Sequence, residues 1–175
     1  GGAEGWLSIR DGDLNAIYVA AAIPALNVET GAKPLILNNG SVIASGIRTG
    51  SDWHVRILPE FDEPLPFEQL RVSSVALTQQ KGWQVSIPNI DIRQAGEFIL
   101  RHNLLPERFS QYVDGIQVEG KASDVRVAVL PNLVAGEPWK VDVRANIADF
   151  TTQPFHGIPS FDKAEGRLHL QPEAG

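Results

Sequence analysis

The side chains best suited to proton transfer or metal ligation in this chain are four histidines, His54, His102, His156 and His169. None stands at ligand spacing, such as HxxxH or HxxE, from another histidine or a carboxylate. Asp52 with His54, or Asp162 with His169, can be written as acid–base dyads. Four histidines among 21 Asp and Glu residues produce such pairs by composition alone. Read structurally, His54 and His169 occupy the wet faces of strands, and His102 closes a helix, where a cation suits the dipole. The paired carboxylates Asp62 and Glu63 lie in a Pro-rich stretch and are expected to be solvated. Gly157-Ile158-Pro159-Ser160-Phe161 is a loop without a strand leading into it, so it is not a nucleophile elbow. There is no GxSxG, GxGxxG or P-loop. The absence of cysteine excludes disulfides, thiolate metal sites and a Cys nucleophile. The expectation is a protein that is not an enzyme, with no metal and no cofactor.

What remains as a candidate for function is a surface. Residues 136–147, GEPWKVDVRANI, alternate without a break. Trp139, Val141, Val143, Ala145 and Ile147 point one way, and Lys140, Asp142, Arg144 and Asn146 the other, which describes a strand with one oily and one wet face. Gly136 and Pro138 mark the turn before it. The same phrase occurs at Trp53-His54-Val55-Arg56-Ile57 and at Trp83-Gln84-Val85-Ser86-Ile87. The unequal spacings make this a recurring strand type rather than a fixed-period repeat. Three such strands predict a sheet whose apolar face is continuous across the chain.

The elements that position this face follow from turn chemistry. Asp11-Gly12-Asp13 joins a strand at Trp6–Arg10 to a second at Leu14–Ile23 as a hairpin; the alanines at 20–22 would also suit a helix. Residues 27–34 read as loop. Asn38-Asn39-Gly40 is the strongest turn signal, separating Pro34–Leu37 from Ser41–Ile47. Thr49-Gly50-Ser51 turns into the Trp53 strand, ended by Pro59, and Leu70–Thr78 is followed by the Trp83 strand, ended by Pro88. Residues 91–113 break the β rhythm. Ile92, Ala95, Phe98, Ile99 and His102 fit helical spacing with Asp91 as N-cap, and Pro106 restarts a second short helix carrying Phe109, Tyr112 and Val113. Strands resume at Ile116–Glu119, Val125–Leu130, the Trp139 strand and Arg167–Leu170. The expected fold is mainly β (α+β): a curved, mostly antiparallel meander forming an open apolar groove, with N-terminal strands in 5–88, a helical segment at 91–113 and C-terminal strands in 116–170.

With 175 residues the chain fits one domain or one large piece of a longer protein, and the absence of Met, even at position 1, reads as a fragment or processed product. Fifteen Lys and Arg against 21 Asp and Glu give a net charge of −6, which argues against a nucleic-acid partner. No apolar run approaches the ~20 residues that span a bilayer; Ala16–Leu26 is too short and contains Pro24. No signal peptide is visible.

Three readings of the oily face stand side by side. It can form the filled core of a structural or adhesive β-sandwich module without a ligand. It can remain open and hold lipid. It can present Trp6, Trp53, Trp83 and Trp139 to carbohydrate, but each Trp begins its strand on the parity of Val and Ile and so belongs to the apolar face.

The order of several short segments bears on this choice. Ile90-Asp91-Ile92, the helical Ala95 to Val113 with Leu104-Leu105-Pro106, and Gly120 to Val127 come first. Trp139-Lys140-Val141, Asn146 to Phe150, Pro154 to Phe161 and Ala164 to Leu170 follow. Together they resemble the central region of YhdP-type proteins in the AsmA-like family, across roughly 85–170 and more loosely before it. The resemblance implies one segment of a repeated β-groove domain in the periplasm. Its parent would be anchored in the inner membrane of a Gram-negative bacterium by a helix outside this chain. The implied role is a bridge-like carrier in outer-membrane biogenesis, moving phospholipid between the inner and outer membranes. The partners would be phospholipid acyl chains and adjacent groove units. The lining would comprise Trp53, Val55, Ile57, Val75, Leu77, Trp83, Val85, Ile87, Val127, Val129, Trp139, Val141, Val143, Ile147, Leu168 and Leu170.

Overall fold

Asp11 and Gly12 both adopt left-handed backbone angles, φ +56° and +84°, the pair that a two-residue hairpin with the twist of its strands requires. In the computed structural model this turn joins the first two strands of a single sheet. The structure describes residues 2–28, 34–77, 80–104, 117–130, 140–154 and 159–171. The strands are β1 (Ala3–Arg10), β2 (Asp13–Val28), β3 (Leu35–Thr49), β4 (Asp52–Phe61), β5 (Leu70–Leu77), β6 (Gln80–Asp91), β7 (Val118–Leu130), β8 (Lys140–Thr152) and β9 (Phe161–Leu170). Their order in space is their order in sequence, and every neighbouring pair is antiparallel. The sheet is open, with β1 and β9 at its edges. Leu14–Ile23, for which a helix was the alternative, is the body of β2.

Three breaks expected from sequence are absent because proline and asparagine are accommodated within strands. Asn38-Asn39-Gly40 does not reverse the chain, and β3 runs through it. The register sets Asn39 opposite Pro24, where the ladder lacks a donor in any case. Asn39 takes φ +48° there, and its Nδ2 donates to Asp62 Oδ2 at 2.9 Å. Pro59 and Pro88 do not end their strands. β4 and β5 pair only from Ile57↔Leu70 back to His54↔Ser73, so Pro59 keeps β3 on one side and no strand on the other. Pro88 likewise lies beyond the last β5–β6 pair, Arg71↔Ser86, and keeps only β7. A strand position with one missing neighbour is where proline costs no hydrogen bond. The two expected strands Ile116–Glu119 and Val125–Leu130 are one strand, β7. Register shifts against β8 at Glu119/Lys121 and Ser123/Arg126, with Asp124 at φ +49°, absorb the polar stretch between them as bulges.

Helix α1 (Ile92–Arg101) follows β6 directly. Asp91 Oδ1 accepts the Gln94 N–H at 2.9 Å, as its N-cap role predicts. At the other end Asn103 takes φ +51°, Asn103 N–H bonds to Leu100 O and Leu104 N–H to Ile99 O. This is the paired closure usually built on glycine, and it stops the helix at Arg101. The expected second helix, with Pro106, Phe109, Tyr112 and Val113, lies outside the described residues. α1 packs on β7 and β6 and buries Phe98, which is 7% exposed.

Apart from α1 no described element lies outside the sheet, and the core is correspondingly thin. Leu37, Phe98, Ala122 and Ala145 are the buried apolar residues, and no described side chain is wholly enclosed. No described helix is long and apolar enough to cross a membrane.

Candidate functional site

Strand alternation makes residues of one parity share a face, and cross-strand partners in register share it too. Followed strand by strand, Val55 leads to an unbroken row. Leu7 pairs with Ile17, Ile17 with Gly46, Gly46 with Val55 and Val55 with Val72. Val72 pairs with Val85, Val85 with Val127, Val127 with Val143 and Val143 with Leu170. The row crosses all nine strands without a polar side chain. At Gly46 the gap is closed by neighbours: a Cβ built there would lie 3.0 Å from the Ile17 side chain and 3.2 Å from that of Val55.

Five of the expected lining residues, Val55, Val85, Val127, Val143 and Leu170, are therefore brought into one line. Others flank it. Ile57 joins Val19, Ala44 and Leu70; Ile87 pairs with Val125, and Leu168 with Ala145. On the opposite flank Trp83 pairs with Ser74 and Val129, and Val129 with Val141. Trp53 is fixed nearby, its backbone N–H donating to Ser74 Oγ at 3.0 Å. Ile147 pairs with Ala122 at the far end of β8. Apart from the buried Ala122 and Ala145, these side chains are half-buried or exposed, with Leu7 67% and Leu170 49% accessible at the two edges.

Val75 and Leu77, also expected in the lining, pair with Gly82 and Gln80 of β6, and their side chains lie outside the described ones. Trp139 lies outside the described residues. The residues missed from sequence were Leu7, Ile17, Gly46 and Val72. The alternation Leu70-Arg71-Val72 carried the last of these, whereas Gly46 is visible only through register.

The opposite face carries a second row, equally continuous. Trp6 pairs with Tyr18, Tyr18 with Ser45, Ser45 with Arg56 and Arg56 with Arg71. Arg71 pairs with Ser86, Ser86 with Arg126, Arg126 with Arg144 and Arg144 with His169. Trp6 thus departs from the parity expected of it: Leu7 and Ile9 of β1 take the apolar face, and Trp6 stacks beside Tyr18 on the polar one, ring centroids 6.0 Å apart.

The charged groups of the polar face are partly organised. Asp142 receives Arg144 Nε at 2.8 Å and Nη2 at 3.2 Å, lies 2.9 Å from His169 Nε2, and accepts Gln171 Nε2 at 2.8 Å. The Arg144 guanidinium first, then His169 and Gln171, hold this carboxyl well below the usual carboxylate range. A second cluster ties α1 to the loop before β5. Glu63 Oε1 lies 2.7 Å from Arg101 Nη1 and 2.9 Å from His102 Nε2, with the imidazole unaligned for a hydrogen bond. Chiefly through Arg101, the Glu63 pKa is lowered. Glu63 is thus not the solvated loop carboxylate expected of it, because the helix C-terminus returns to this loop. Among the described residues no group of three or more His, Cys, Asp or Glu side chains could hold a metal ion.

Comparison of the chain with protein-family models, with curated proteins and with solved structures gives no match.

Proposed function

We propose that this chain carries lipid acyl chains along the apolar face of its open sheet, as one segment of a bridge-like phospholipid carrier between the inner and outer membranes of a bacterial envelope. The observation that carries the reading is the row from Leu7 to Leu170, nine apolar or glycine positions in register that no described element covers in full. Each acyl methylene kept from water is worth about 0.8 kcal/mol, so a tail of about 15 costs on the order of 12 kcal/mol to move through water. A continuous apolar strip lowers that cost at every step without holding the tail at any one position. A deep specific pocket would trap it. The likeness of residues 85–170 to YhdP-type proteins supports the same reading and is the ground for the periplasmic setting and the membrane-anchored parent.

Native mass spectrometry of the purified protein, with lipid analysis of a solvent extract, tests this. Co-purified phospholipid, and photo-crosslinking of a lipid probe at Val85 and Val143 but not at Ser86, is the expected result. A lipid-free protein that takes up no phospholipid from vesicles would overturn it and favour a structural module whose apolar face is covered by protein.

A further inference from the structure

The polar row opposes the trend of the composition. The chain has more carboxylates than bases, yet the nine positions from Trp6 to His169 include four arginines and no Asp or Glu. The arginines come as two directly opposed pairs, Arg56↔Arg71 and Arg126↔Arg144. Like charges opposite one another on a sheet are destabilising. A row serving only solubility would mix signs along its length; carboxylates such as Asp52 and Asp142 share the face but stand outside this row. Asp142 neutralises Arg144 alone; among the described residues no carboxylate lies within ion-pair distance of Arg56, Arg71 or Arg126. Arg56 Nε donates to the neutral Gln69 at 3.0 Å.

Each pair borders a cleft. One, of about 370 Å³, places Arg56 and Arg71 beside Ser45, Ser73 and Ser86, with Ile47 and His54 also in its lining. The other, of about 480 Å³, gathers Arg126, Arg144, Arg167 and His169, with Asp124 as its carboxylate. Neighbouring strands are about 4.8 Å apart, so Arg71 and Arg126 stand about 10 Å apart, with Ser86 between them. Guanidinium groups bind phosphate oxygens in forked pairs, and their weak hydration lowers the cost of stripping water from them on binding. The only aromatic side chains of the row, Trp6 and Tyr18, sit together at its far end, so the arginines are not interleaved with stacking platforms for bases.

We infer that the polar face is a binding track for a flexible, non-nucleic polyanion bearing phosphate groups, held by Arg56 and Arg71 at one end and by Arg126 and Arg144 at the other. The track is independent of the lipid reading, since it lies on the reverse side of the sheet. Long-chain inorganic polyphosphate is the probe, with binding measured by calorimetry on the whole chain. Binding is expected to weaken steeply with added salt. Arg71→Gln and Arg126→Gln are each expected to weaken it about tenfold, and Arg93→Gln, on α1, to leave it unchanged. Thermal melts establish that each variant is folded. Inorganic phosphate binding as tightly as the polymer would overturn the track in favour of a single-anion cleft. Preference for a single-stranded oligonucleotide, binding to anionic vesicles but not to polyphosphate, or an equal loss with Arg93→Gln would overturn it as well.

Discussion

Val143 and Arg144 are adjacent in the chain but belong to the two opposed rows, Val143 between Val127 and Leu170, Arg144 between Arg126 and His169. The pair therefore separates what the two faces do. Val143→Asp places a carboxylate in the acyl-chain path, at a cost of roughly 2.5–3.5 kcal/mol on the membrane-insertion scale, or about two orders of magnitude in lipid occupancy. The fold is expected to survive, because without lipid the new carboxylate faces water. Arg144→Gln is expected to leave lipid uptake intact. Circular dichroism and lipid transfer on both variants check this; unfolding of Val143→Asp would mean that the face is a filled core.

The Asp142 cluster makes stability pH-dependent in a definite direction. A carboxyl whose pKa is lowered on folding contributes stability that is fully present above its unfolded value, near 3.8, and is lost as pH falls through the folded value. Asp142→Asn is therefore expected to lower the melting temperature at pH 7 and to have a shrinking effect as the pH is taken below 3.8. Melting curves of both proteins across that range provide the check. A difference independent of pH would show that the cluster acts by hydrogen bonding alone.

Glu63 joins the loop before β5 to the end of α1. Glu63→Gln is expected to cost at most about 1 kcal/mol, because the partners are only partly buried. Hydrogen exchange at the amides of His102, Asn103 and Leu104 is expected to quicken while that of β7 stays unchanged. Exchange that quickens equally in both would show global destabilisation instead of a local clamp.

Gly40 pairs with Phe61, and a Cβ at position 40 would overlap the Phe61 ring and the Glu60 carbonyl. Gly40→Ala is expected to destabilise the protein by about 1–3 kcal/mol, the usual cost of overpacking. Chemical denaturation measures it, and Phe61→Leu in the same chain is expected to recover part of the loss.

How much of this was legible in the sequence depends on whether the signal is local or lies across the sheet. Asp11-Gly12, the Asp91 cap and the alternating strands around Val55, Val85 and Val143 are local patterns, and the structure bears them out. The prolines misled because a strand's tolerance for proline depends on whether its neighbour is still present, as at Pro59 and Pro88. Asn39 misled for a related reason: its turn propensity is used up in a kink opposite Pro24. Trp6 shows that apolar character alone does not assign a face; parity within the strand does. The arginine row was invisible for want of register, since Arg56, Arg71, Arg126 and Arg144 are scattered over 89 positions (56–144).

In a meander each strand leans only on the strands just before and after it in the chain, so the sheet behaves as a linear array rather than as a closed body. Inserting or deleting a hairpin of two strands within it would lengthen or shorten both rows by two positions and leave every other pairing as it was. A single residue inserted into one strand has the opposite effect, exchanging valine for arginine on each face from that point to the end of the strand. Length in such a molecule is cheap to change, whereas phase is not.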